Sequence, residues 1–174
     1  MTIAWLAPRD SEAARCRDRP PKSWDIEVAA RSEPGERLVV SGHVLSREHR
    51  VPLAGVSVYV YHADAKGSYN REDTEGGEPR LCGVLRTNSK GEYRIRTVMP
   101  GGYSPHLHFE VWGPSVTSQP LLLNLHRKGV VPVPDTARVP QLTLRDDLSA
   151  TERRVQPGEH GVLECTRDLV VDTK

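Results

Sequence analysis

The segment GVSVYVYHAD, residues 55–64, constrains this chain more than any other stretch. Val56, Val58, Val60 and His62 fall on one side and Ser57, Tyr59 and Tyr61 on the other, the period-2 pattern of a strand with one buried face. HLHFEVWG (residues 106–113) alternates in the same way, RLVVSGHVLS (37–46) is rich in β-branched residues and ends in the polar turn SREHR, and LLLNLHR (121–127) is a further apolar strand. GVLRTN, the turn SKGE and YRIRTV predict a hairpin, because Gly91 supplies the positive φ that a short turn requires. Gly and Pro number 14 each in 174 residues, and they cluster between these runs, as in MPGGYSP, where regular structure is forbidden. QLTLRDD and GVLECTRDLVV in the tail add one or two strands, for about seven to nine in all and no amphipathic helix longer than about three turns. The expected fold is all-β, a β-sandwich. Residues 1–36, rich in charge and Pro, read as an N-terminal extension with a short helix near Ser11–Arg17, closed by the turn SEPGE; residues 37–174 read as one domain.

Charge narrows the partners. Lys and Arg total 24 against 23 Asp and Glu, a net charge of +1, which excludes a protein held on phosphate backbones by bulk electrostatics. No apolar run approaches the roughly 18 residues of a helical membrane span, so neither nucleic acid nor membrane is an expected partner. Cys16, Cys82 and Cys165 lie far apart with no CxxC pair, arguing against a zinc finger or a disulfide framework. The start, MTIAWLAPRDSEAARC, lacks the basic region of a signal peptide. Those readings together give a cytoplasmic protein with reduced thiols, Cys82 among them as a small buried apolar residue.

Chemistry enters with His106-Leu107-His108-Phe109. Side chains two apart on a strand project from one face, about 6.5–7 Å apart along the chain, so two imidazoles there can converge on one cation. Alone, the pattern more often marks histidines that face solvent or are satisfied in the core. Tyr103 precedes the pair by three residues, within the about 10–11 Å that such a stretch can span. Tyr69 lies in the polar loop of residues 66–80, where a surface tyrosine is the plainer reading. Two phenolates with two imidazoles would form a hard-leaning donor set, better suited to ferric iron than to zinc or calcium. A phenol ionises near pH 10, so it ligates only where a cation lowers that value.

From about Val40 to Leu123 the sequence resembles the intradiol ring-cleavage dioxygenases, the catechol and protocatechuate dioxygenases. SGHVLSREHRVPLAGVSVYVYHADAKGSY, GVLRTNSKGEYRIRTVMPGGY and PHLHFEVWGP carry the likeness. The family's tyrosine after an Ala-Asp-Ala-x-Gly stretch matches Tyr69, its tyrosine after Pro-Gly matches Tyr103, and its His-x-His-Phe matches His106 and His108. The resemblance implies a transthyretin-like β-sandwich and Fe(3+) held by Tyr69, Tyr103, His106 and His108. It implies a small aromatic diol and O2 as substrates, with the ring opened between its hydroxylated carbons to a muconate-type diacid. Tyr103 takes a catalytic role as well, released by the substrate to accept a catechol proton. Gln119, in VTSQP, corresponds at a shorter offset to the family's glutamine after the histidine strand and is carried as a second catalytic residue. N-terminal segments pack on partner copies in some members, which makes residues 1–36 the expected surface of a homo-oligomer.

Two departures bear on specificity. Only Ser104 and Pro105 separate Tyr103 from His106, where larger members hold a loop with an arginine facing the substrate. Cys82 replaces the arginine usual before the Gly-Val-x-x-Thr strand, and Arg86 and Arg96 read as solvated strand charges. The shortened loop implies a substrate bulkier than protocatechuate, or slower turnover. Two other classes fit parts of the sequence. A non-catalytic transthyretin-like module shares the patterning of residues 52–56 and 87–93. A β-sandwich metalloprotein would use the His pair for zinc or copper, with His62 and His126 as further ligands, although His62 shares a face with valines and suits a satisfied core position. His43, His49 and His160 read as surface. Gly76-Gly77 is too poor in pattern for a phosphate cradle, and no nucleophile elbow occurs.

Overall fold

Burying every second side chain of an alternating strand leaves two one-sided sheets that must cover each other. The computed structural model describes residues 15–21, 23–70, 78–126 and 152–174. Its strands are β1 (Asp25–Glu27), β2 (Arg37–Ser46), β3 (Ser57–His62), β4 (Leu81–Arg86), β5 (Glu92–Val98), β6 (His106–Gly113), β7 (Val116–His126), β8 (Glu152–Arg154), β9 (Gln156–Pro157), β10 (Leu163–Thr166) and β11 (Leu169–Val171). One sheet runs β4-β3-β6-β7-β8; the other runs β1-β5-β2-β10-β9, with β11 also on β2. Between them Val58, Val60, Leu107, Phe109 and Val111 meet Leu38, Val40, Tyr93 and Ile95, all buried in one cluster. Each such aliphatic side chain contributes about 1.5–3 kcal/mol relative to exposure. The β-sandwich is therefore the fold that the alternation implies.

Inward-facing His62 is fully buried, its Nδ1 2.7 Å from the Ala63 carbonyl and its Nε2 2.6 Å from Thr97 Oγ1. Both ring nitrogens are engaged, so His62 is a satisfied core residue.

Three expectations are corrected. The hairpin of residues 83–98 does not form: β4 pairs with β3 in one sheet and β5 with β2 in the other. The turn itself is real. Gly91 has φ 73°, and Asn88 Oδ1 accepts the N–H groups of Lys90 and Glu92 at 2.9 and 3.0 Å. Buried Thr87, however, ties the end of β4 to Leu53 and Val56, donating its hydroxyl to Leu53 O at 2.7 Å and accepting Val56 N–H at 2.9 Å. The chain is thereby led across the end of the sandwich. A turn signal fixes a reversal, not the partner of the strand that follows.

Second, Cys16 and Cys82 form a disulfide across 66 residues. The sequence spacing hid it because a short 3-10 turn, Cys16–Asp18, folds back over β4. Third, the described residues from Asp25 to Ala29 do not stand apart from the sandwich. β1 adds in parallel to β5, with Ile26 opposite Ile95, and Ala29 is fully buried. Residues 11–14 of the expected helix, Gly76-Gly77 and the tail segment QLTLRDD lie outside the described residues.

Closing a loop of 66 residues restricts the unfolded chain, by about 4 kcal/mol in the chain-entropy account. The variant Cys16→Ser/Cys82→Ser should lose roughly that much in urea unfolding, and unchanged stability would contradict the tether. His62 predicts a pH effect. Burial, opposed by the Ala63 carbonyl, lowers its pKa to about 4, below the unfolded value near 6.5. Its contribution is complete above about pH 6.5 and is lost as pH falls toward 4, about 3 kcal/mol in all. In metal-free protein the buried His108, lowered likewise to about 4, adds to that slope in the same direction, so His62→Gln should make the loss of stability between pH 6.5 and 4 in urea unfolding shallower by about half without abolishing it.

Candidate metal centre

Because Leu107, Phe109 and Val111 turn inward, the residues between them turn outward. His106, His108, Glu110 and Trp112 thus line the outer face of β6. Tyr69 reaches the same face from the loop after β3. Its Oη lies 2.9 Å from His106 Nε2 and 3.1 Å from His108 Nε2, and the two Nε2 atoms are 3.0 Å apart. Three donor atoms so spaced are what one cation with bonds of about 2 Å holds together.

Each donor is aimed by its surroundings. His106 donates Nδ1–H to Ser104 O at 2.6 Å, which leaves the Nε2 lone pair facing Tyr69. Burial, reinforced by neighbouring His106, lowers the His108 pKa to about 4. That ring is a neutral imidazole at neutral pH, the form that ligates. Burial also raises the pKa of the Tyr69 phenol, so without a cation the hydroxyl keeps its proton and serves as a hydrogen-bond partner to the rings.

Tyr69 owes its place to a braced loop. Asp64 Oδ1 accepts the N–H groups of Lys66 and Ser68 at 2.9 and 3.0 Å. Asp64 Oδ2 takes the Arg80 guanidinium at 3.1 Å, and Arg80 grips Glu33 with two bonds of 2.6 and 2.7 Å. Arg80 N–H also donates to Tyr69 O at 2.7 Å. That grip holds the Glu33 carboxyl below the usual carboxylate range. From the other side Gly101 donates N–H to Asp64 O at 2.8 Å, and a Cβ at Gly101 would lie 2.1 Å from Ala65 O. The glycines before Tyr103 let that loop lie backbone to backbone against the one carrying Tyr69. Neither the Arg80–Glu33–Asp64 brace nor this glycine contact was singled out in the sequence, although the Asp in Ala-Asp-Ala-x-Gly was its visible end.

Tyr103 does not join the cluster: its side chain is 80% exposed. Gln119 is not at the site either. It pairs with inward-facing Val111, and its Nε2 donates to Thr117 O at 3.0 Å and Asp172 O at 3.4 Å. The Val111 pairing lies in the same unbroken register as His108 opposite Leu122, so Gln119 sits on the other side of the sheet from the imidazoles. Arg96 pairs with Asp25 at 2.6 Å in the opposite sheet, and Arg86 is exposed at the end of β4. Among the described residues no group of three or more His, Cys, Asp or Glu gathers. The donor set is one phenol and two imidazoles, which fits the hard ferric ion better than the thiolate- and imidazole-rich sets of borderline-soft zinc.

A family model described as "Dioxygenase" matches residues 19–105. Catechol 1,2-dioxygenase 2 of Acinetobacter lwoffii is 37% identical over 73 residues, 42% of this chain and 26% of that protein. Catechol 1,2-dioxygenase of Acinetobacter baylyi is 32% identical over 102 residues, 56% of this chain and 30% of that protein. The chain thus matches less than a third of the length of these curated relatives. Among solved structures, the dioxygenase domain of a dioxygenase and carbohydrate-binding protein fusion from Streptomyces sp. SirexAA-E superposes with a TM-score of 0.63 at 26% identity, over 96% of this chain and 98% of that one. Catechol 1,2 dioxygenase of Acinetobacter radioresistens has the same fold, with a TM-score of 0.67 at 18% identity over 89% of this chain and 58% of that one.

The brace predicts a contrast. Arg80→Met leaves two partly buried carboxylates without their cation and should cost about 2 kcal/mol, with faster amide exchange at Lys66 and Ser68. Arg15→Ala, which removes an exposed pair with Glu78, should cost less than about 0.5 kcal/mol. Urea unfolding compares the two, and equal effects would contradict the brace.

Proposed function

The chain belongs to the intradiol dioxygenase family, and on that premise we propose that it is a ferric-iron enzyme opening the ring of a catechol-type aromatic diol with O2. The observation that carries the reading is the meeting of Tyr69 Oη with the two Nε2 atoms at 2.9–3.1 Å, in the absence of a rival His, Cys, Asp or Glu cluster among the described residues. A transthyretin-like binding module has no need of that constellation, and a zinc or copper reading loses His62 to the core.

In this reading Tyr69, His106 and His108 hold Fe(3+), which when bound supplies tyrosinate-to-metal charge transfer and makes a chelated catecholate reactive toward O2. The chain's own contribution is position. The Ser104 carbonyl fixes the His106 tautomer, and the brace around Asp64 brings the phenol to the imidazoles. Tyr103, three residues before His106 and carried as the second tyrosine ligand on family likeness, would accept a catechol proton only as a phenolate first held by the cation, since a free phenol is protonated at neutral pH. The two-residue link Ser104-Pro105 stands where larger members hold a longer loop, which supports a diol carrying a bulky substituent rather than protocatechuate itself. The match over 96% of this chain and 98% of a chain described as a dioxygenase domain supports this reading.

Ferric-loaded protein should be red-brown, and Tyr69→Phe should bleach it. With a panel of substituted catechols, O2 uptake should match loss of the aromatic absorbance one for one, giving an acyclic diacid. Tyr103→Phe should lower kcat by about 100-fold, the usual scale for a lost acid-base group. Colourless loaded protein, or coloured protein inert toward every catechol, would overturn the proposal.

A further inference from the structure

Unlike His106, His108 is not oriented by a carbonyl: among the described residues no such hydrogen bond holds its Nδ1. Its ring instead lies flat on Tyr61, with centroids 4.5 Å apart and planes 6° from parallel. The contact follows from register. Cys82, Tyr61 and His108 are directly opposite one another on β4, β3 and β6, one outward row with strands about 4.8 Å apart. At the end of that row Cys82 is bonded to Cys16. Tyr59, in the next row, backs Tyr61 at 5.3 Å and packs with Cys16 and Val84.

The segment that brings Cys16 is anchored again one residue on. Arg17 makes a two-bond ion pair with Glu110, Nε to Oε2 at 2.6 Å, and lies over the Trp112 ring, 5.0 Å from its centre. Glu110 and Trp112 are the next outward positions of β6 after His108. The short segment around Cys16 is therefore fastened at both flanks of the tyrosine pair, by a covalent bond at β4 and by a cation at β6. Tyr61 has little freedom to leave the face of the imidazole.

We propose that Tyr61 is the positioning residue of His108 and that the Cys16–Cys82 strap, through Tyr59 and Tyr61, holds that imidazole in its metal-binding orientation. The proposal concerns a metal ligand and so rests on the ferric reading above, but the stack is a property of the metal-free chain and is testable there. The strap does no chemistry and touches no substrate. It sets how firmly one of the ligands is presented.

The test has two arms. In metal-free full-length protein, the His108 ring protons should appear upfield in the NMR spectrum from the ring current of Tyr61. Tyr61→Phe should keep that shift, Tyr61→Ala should abolish it, and Cys16→Ser/Cys82→Ser should reduce it. In ferric-loaded protein, transfer of iron to EDTA should be about 10- to 100-fold faster in Tyr61→Ala and in the double serine variant, the range seen when a ligand loses its orienting partner, and unchanged in Tyr61→Phe. Should the double serine variant not fold, Arg17→Ala, which frees the strap at Glu110 and Trp112 and leaves the disulfide, should show the same reduced shift. Unstacked His108 shifts in the wild-type protein, or wild-type shifts in a folded strap variant, would overturn the proposal. A wild-type chain that binds no ferric iron yet shows the coupled shifts would sink the enzymatic reading and leave the strap's hold on His108 standing.

Discussion

The alternation of β6 is the constraint on which the rest depends. Leu107, Phe109 and Val111 are buried between the sheets, and the cost of exposing them, about 1.5–3 kcal/mol each, fixes the register of the strand. Slipping by one residue would send both imidazoles inward and three apolar side chains into water. The core therefore sets the direction in which His106 and His108 point. It cannot set their ring orientation, which comes from short-range partners on the outer face.

Those partners differ in kind. His106 is held by the Ser104 carbonyl, two residues away in the chain, so the shortened link before β6 orients that imidazole directly. His108 is held from across the sheet by Tyr61. Tyr69 comes from a loop whose ends are locked by Asp64, Arg80 and Glu33. Two separate stretches of chain, β6 and the loop after β3, thus meet at one point, and each is tied to the sandwich by interactions outside that point. Such support keeps a site within the narrow tolerance that metal binding and catalysis require.

How much was legible follows the range of the determining interactions. β2 and β6 begin and end where the residue pattern placed them, and the two faces of β3 are those of its alternation, because strand polarity is written locally. Tyr69, His106 and His108 were legible as a set through spacing and family likeness. The pairing of β4 was not, since Thr87 redirects the chain through bonds to Leu53 and Val56 that no turn rule contains. The Cys16–Cys82 bond was hidden for a similar reason: its 66 residues of separation carry no spacing signal. Gln119 was carried from family likeness at a shorter offset, whereas on β7 it shares the inward face of Leu121, Leu123 and Leu125 and pairs with Val111. Tyr103 was carried as a ligand on family likeness together with its three-residue reach to His106; here it is 80% exposed and apart from the other three donors.

The central claim is that the Tyr69 phenolate, together with the imidazoles of His106 and His108, is a ligand of ferric iron. Resonance Raman spectroscopy of the ferric-loaded chain, excited within its visible absorption band, tests this most directly. The account predicts enhanced tyrosinate ring vibrations in the wild-type protein that disappear in Tyr69→Phe. Absence of those vibrations in the loaded wild-type protein, or their undiminished persistence in Tyr69→Phe, would contradict it.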